Sequence, residues 1–268
     1  MNCMNNLRLA GLLLSLAIAL PLARAQTVAP ASSTEAKQPA YDAFTIKPNK
    51  SGSGSSGAHS GGDSFTDTNI SVKQLLQQAF SIRQELISGV PGAVDSARFD
   101  IQAKIVDPDP DALKKLKGKQ WGAMLLPMLT ERFGLKTHFE TKTLPVYELV
   151  VMPGGPKFKA AASDAKGSGT SVNGRNDHTD LTAQALSMAL FAEILSGQVQ
   201  RTVIDKTGLA GNYDLTLQWS REDSSTPDTD SAPSIFTALP EQLGLKLQPA
   251  KGPVETLVVD HVEMPSEN

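Results

Sequence analysis

The chain has 268 residues, of which 40% are hydrophobic and 20% charged, and its 25 basic against 28 acidic residues leave a formal charge of -3. That composition can build a core, and it lacks the basic field that would hold a polyphosphate backbone, so nucleic acid is excluded as a partner. A single cysteine makes neither an internal disulfide nor a thiolate zinc site, and four histidines without ligand spacing predict no metal and no cofactor.

Residues 1–25 open polar around Arg8, run apolar from Leu9 to Leu22 and close on Ala23-Arg24-Ala25. The apolar run is short for a bilayer of about 30 Å, and small residues stand three and one positions before Gln26, as signal peptidase requires. A secretory signal cleaved after Ala25 is therefore expected, leaving an exported, cysteine-free chain with two positive charges fewer, at -5. No second apolar stretch is long enough to span a membrane. Residues 26–40, rich in Ala, Ser, Thr and Pro, read as a flexible linker.

Two polar stretches, Ser51–Asp63 and Ala160–Asp180, interrupt the chain at comparable places and read as loops. The segments around them repeat. Phe65–Phe80 lies over Leu181–Ser196 without a gap, Phe99–Lys104 over Tyr213–Gln218, Glu131–Lys136 over Glu241–Lys246, and Val146–Val151 over Val254–Val259. Ser71 and Ser187 are N-caps for helices whose apolar stripes are Val72, Leu75, Leu76, Ala79 and Phe80, and Met188, Phe191, Ala192 and Leu195. Alternation over Phe99–Val106 and Tyr213–Trp219 predicts half-buried strands. A second helix in each half ends at Gly134 or Gly244, and the strands after it are expected to fold back as a hairpin within that half. Pro127 and Pro240 fall inside these second helices and require a late start or a kink. The fold class is α+β: two tandem similar halves, 41–156 and 157–268, each a mixed or antiparallel sheet with two short helices.

Chemical motifs are few. Gly52, Gly54 and Gly57 spell a dinucleotide-binding loop, but no helix pattern opens behind Gly57. Asp107, Asp109 and Asp111 alternate like calcium ligands, yet Ala112 and Gly118 stand where that loop needs Gly and Glu, and an N-cap for a short helix explains them. No G-x-S-x-G, S-x-x-K or H-E-x-x-H motif is present, so no catalytic residue is assigned. The densest polar group is Asp205–Asp214, a tight turn between strands, where Asp205, Lys206, Thr207, Tyr213 and Asp214 are the candidate ligand-binding residues.

The segments Phe44–Pro48, Phe99–Lys104, Glu131–Lys136, Pro145–Val151, Gly155–Lys157, Val203–Leu209, Tyr213-Asp214 and Val258–Glu263 carry a likeness. By them the chain resembles a soil-associated bacterial family of exported proteins built on a domain of unknown function. Some relatives are fused behind membrane metallopeptidases of the antibiotic-sensor type, and the resemblance implies an extracytoplasmic sensing or binding role. The expected function is a non-catalytic binding module for an envelope protein, peptide or glycan, in the periplasm or outside the cell. The alternatives are a cell-envelope hydrolase and a structural envelope component pairing through edge strands.

Overall fold

The computed structural model describes residues 39–53, 55–116, 118–162, 169–175, 178–220 and 232–265, so the expected signal segment and most of the linker lie outside the described residues. The chain opens with β1 (Ala43–Pro48), β2 (Gly57–Gly61) and β3 (Ser64–Ile70), followed by α1 (Val72–Phe80) and a 3-10 turn at Gln84–Leu86. Next come β4 (Ile87–Ser88), α2 (Gly92–Ser96), β5 (Phe99–Lys104), α3 (Pro110–Lys115), α4 (Lys119–Ala123) and α5 (Leu126–Phe133). A long strand β6 (Lys136–Val151) leads to β7 (Lys159–Ala160), β8 (Gly169–Gly174), β9 (His178–Ser187), α6 (Met188–Gln198), β10 (Val203–Asp205) and β11 (Asn212–Ser220). The chain finishes with α7 (Ile235–Ala238), a π-turn at Leu239–Leu243, and the long strand β12 (Leu245–His261). The α+β class holds.

Local chemistry explains the principal helices. Ser71 accepts from the Gln74 amide at 3.2 Å while the Gln74 side chain accepts from the Ser71 amide at 2.8 Å, a reciprocal cap that satisfies two free donors. Ser187 caps α6 by accepting from the Leu190 amide at 3.3 Å, without the reciprocal bond, because Leu190 has no polar side chain. Just before each cap a non-glycine residue is left-handed, Asn69 at φ 58° and Ala185 at φ 51°. The amide of each is held by an aspartate on the neighbouring strand: Asp100 accepts from Asn69 at 3.0 Å, and Asp214 from Ala185 at 2.9 Å. These charge-assisted bonds offset the strain of the left-handed bulge. Gly134 and Gly244 terminate their helices in the left-handed conformation, as expected. Pro127 is the second residue of α5, where the missing amide falls in the first turn, so a late start accommodates it. Pro240 lies where α7 runs without a break into the π-turn, and the helix changes from α to π bonding at that proline.

Three four-stranded sheets result. Two outer sheets run β1-β5-β3-β2 and β7-β11-β9-β8, all antiparallel and with the same order of equivalent strands. Two readings are corrected here. The polar stretches are not simply loops, because each contains an edge strand, β2 or β8, whose low strand propensity is overridden by the ladder it makes with β3 or β9. The strands after Gly134 and Gly244 do not form hairpins within each half. They are single strands of 16 and 17 residues that pair with each other, from Leu245 opposite Val151 to His261 opposite Lys136. The ladder between β6 and β12 runs on through Leu144 opposite Gly252 and Thr143 opposite Pro253, so neither strand turns back on itself there.

This central sheet, ordered β10-β6-β12-β4, is reciprocal. β4 runs parallel to β12, with Ile87 opposite Leu257, and β10 runs parallel to β6, with Val203 opposite Tyr147. Burial follows the same exchange. The core under the first sheet includes Leu257, Val259 and Val262, and the core under the second includes Leu149.

Candidate functional site

The Asp205–Asp214 turn is built largely by its own polar groups. The Asp205 carboxylate accepts from the Thr207 amide at 2.9 Å and the Thr207 hydroxyl at 2.7 Å, and that hydroxyl accepts from the Leu209 amide. The Lys206 amide donates to the Leu149 carbonyl, which ties the turn to β6, while its side chain is exposed. Tyr213 donates its hydroxyl to the Ala210 carbonyl at 2.8 Å, and Asp214 holds the bulge before α6. No hydrogen bond joins Asp205 or Thr207 to Tyr213 or Asp214, and none of the five lines the clefts described below.

The histidines lie apart on strands. His138 on β6 meets both carboxylate oxygens of Asp260 at 2.9 Å, with both side chains about half exposed. His261, at the end of β12, has Nε2 3.8 Å from Glu263. Neither has a hydroxyl in hydrogen-bond range among the described residues, so the proton-relay geometry of a hydrolase is missing at both. His59 and His178, read as loop residues, stand on β2 and at the start of β9. His178 lies 3.2 Å from Asp180, which also accepts from Gln218 and Arg175. Burial raises the Asp180 carboxyl, but the Gln218 amide, His178 and Arg175 together outweigh it and hold the group below the ordinary carboxylate range. The calcium-like Asp109 caps α3 through the Asp111 and Ala112 amides. Among the described residues no group of three or more His, Cys, Asp or Glu is placed to hold a metal ion.

Three clefts are the concave features of interest. One of about 470 Å³ lies at the junction of α1, α6 and the central sheet, walled by Ser81, Arg83, Ala189 and Glu193 and floored by Val203 and Val254. Arg83 in it is committed to Glu85 at 2.5 Å and to the Thr202 hydroxyl at 2.9 Å. Glu193 and Glu255 on its rim make no ion pair with the described residues. A second, of about 690 Å³, is lined by aromatic, aliphatic and uncharged polar residues from β6, β8, β9, α6, β11 and α7, with Tyr147, Thr179, Gln198 and Phe236 among them. A third, of about 300 Å³, is faced by Tyr41, Phe65, Trp121 and Gln78. Behind it Gln78 donates to the buried Asp67, whose carboxyl is pushed above its ordinary value by burial, against the lowering effect of the Gln78 and Thr68 amides.

Reading along the chain could not assemble these clefts. Their walls come from residues far apart in sequence.

No curated protein and no solved structure matches the chain. Among the described residues no helix is long and apolar enough to cross a membrane. Residues 73–262, from α1 to the end of β12 and well over half of the chain, match the family described as protein of unknown function (DUF3738), and the chain belongs to that family.

Proposed function

We propose that this protein is an exported, non-catalytic binding module that recognises an envelope protein, peptide or glycan in the periplasm or beyond. The observation that carries the reading is the 470 Å³ cleft, whose walls come from both halves and stand on helix α6, the end of α1 and the central sheet. A cleft on such elements keeps its shape without a ligand, so little ordering free energy is lost on binding. Among the described residues His138 and His261 pair with the carboxylates of Asp260 and Glu263 and hydrogen-bond no hydroxyl, which favours binding over hydrolysis. The family resemblance, with some relatives fused behind metallopeptidases of the antibiotic-sensor type, supports a sensing setting.

Ala189 is exposed on α6 and lines this cleft, so Ala189→Trp fills it without touching the core. The exported chain, immobilised and exposed to envelope extract, is expected to retain a component that the Ala189→Trp chain does not. An empty eluate, or identical eluates from the two chains, would refute the reading. A second reading, pairing through an edge strand, is favoured by β8: all six of its residues are exposed and it stands at the end of its sheet.

A further inference from the structure

The 690 Å³ cleft differs from the junction cleft in one chemical respect: among the described residues no Asp, Glu, Lys, Arg or His lines it. Strand alternation explains part of this. Thr179 and Trp219 face one another across β9 and β11 on the cleft side, while the next pair, Asp180 and Gln218, bond to each other on the opposite face. The charge at Asp180 is therefore kept away from the cleft.

What lines the cleft instead is a set of uncommitted neutral groups. Thr179 is 5% exposed and its hydroxyl bonds to none of the described residues, yet no buried side-chain polar atom among them is left unsatisfied, so that hydroxyl opens onto the cleft. The hydroxyls of Tyr147 and Ser220 and the Gln198 amide likewise bond to none of the described residues. Gln200 uses its amide nitrogen on the Gly197 carbonyl and keeps its oxygen as an acceptor. Beside these groups stand two aromatic rings. Phe236 is 40% exposed and meets Tyr147 at 5.5 Å and 63°, and the Arg201 guanidinium sits 4.7 Å from the Tyr147 ring centre and fixes it in place.

We propose that this cleft is a saccharide site, taking a neutral oligosaccharide of two or three rings. Hydroxyls and carboxamides each donate and accept, which matches the hydroxyls of a sugar, and the exposed Phe236 face receives the C–H face of a pyranose ring. Among the described residues the nearest charge is the Arg201 guanidinium, which is stacked on Tyr147 and does not line the cleft, so a charged ligand would enter without a lining counter-charge, which is unfavourable in a partly desolvated cleft. An extended peptide would pair with the free edge of β8 and leave these hydroxyls and carboxamides unused. The assignment rests on the binding-module reading, because it names the ligand class for such a module, but it concerns a different cavity.

Trp219 lines the cleft and is one of two tryptophans, so a Trp121→Phe chain reports ligand through Trp219 alone. Titration with chitotriose, cellotriose and maltotriose is expected to give a saturable change in emission with at least one of them. Trigalacturonate and a chitosan trimer, the charged counterparts, should give none. Phe236→Ala and Gln198→Ala, both at exposed positions, should each weaken binding by about tenfold while leaving the thermal midpoint in place. No saturable change with any neutral trimer, a preference for a charged trimer or for a neutral tripeptide, or binding indifferent to both substitutions would overturn the proposal. If the Ala189→Trp experiment succeeds while these titrations fail, the saccharide assignment falls alone. If the titrations succeed while the extract yields nothing, the junction cleft falls and this one stands.

Discussion

Replacing Leu257 by alanine tests whether the first core depends on a strand that arrives from the far end of the chain. Leu257 is fully buried in the cluster that also holds Phe99, Ile101 and Phe133, opposite Ile87 of β4. The substitution removes three carbons, worth about 2.4 kcal/mol at roughly 0.8 kcal/mol each, and the cavity left behind brings the cost to about 3–5 kcal/mol. Trp121 packs against this cluster and Trp219 belongs to the other, so the two cores can be followed separately. In a Trp219→Phe background, Trp121 emission should report a urea midpoint lowered by about 1–2 M, taking a denaturant slope of about 2–3 kcal/mol per M. In a Trp121→Phe background, Trp219 should report the same loss, because β6 and β12 pair along their whole length and bind the two cores into one transition. A midpoint unchanged at Trp219 while Trp121 shifts would refute the interlocked arrangement. A loss at Trp121 below about 1 kcal/mol would refute the burial assigned to Leu257.

Burial raises the Asp67 carboxyl above its ordinary value, so the unfolded chain gives up that proton first, and stability attributable to Asp67 falls as pH rises from the ordinary carboxylate value through the raised one. Asp67→Asn keeps an acceptor for Gln78 and removes the charge, so its stability relative to the parent should rise between about pH 3 and pH 7 in urea titrations. A pH-independent difference would show that the carboxylate is not desolvated. Gly122 on α4 lies so close to α1 that an added Cβ would fall 1.9 Å from the Gln78 carbonyl oxygen. Gly122→Ala should therefore cost about 1–3 kcal/mol or more in thermal melts, whereas Gly92→Ala on α2, which meets open space, should stabilise by up to about 1 kcal/mol. Equal effects would mean that α4 does not pack on α1 as described.

Elements set by neighbouring residues were legible along the chain. The serine caps, the apolar stripes of α1 and α6, the alternation in β5 and β11 and the glycine stops at 134 and 244 each depend on spacing within a few residues, and each stands where the pattern placed it. The caps of α1 and α6 even fall at matching places beside matching left-handed bulges, Asn69 and Ala185. The edge strands were harder to see. Gly57–Gly61 and Gly169–Gly174 have the composition of loops, and only the ladder offered by β3 and β9 makes them strands.

Pairing partners were beyond reach for a physical reason. A strand's hydrogen-bonding groups are the same for every sequence, so nothing in residues 136–151 says whether they fold back on themselves or run against residues 245–261. Side chains identify a buried face without naming what covers it. The exchange of β4 and β10 across the centre, the loan of Leu149 and Leu257 to opposite cores, and the neutral cleft around Phe236 all follow from that long-range choice. Local turn chemistry was readable at Asp205–Asp214, but the clefts arise only where distant segments meet.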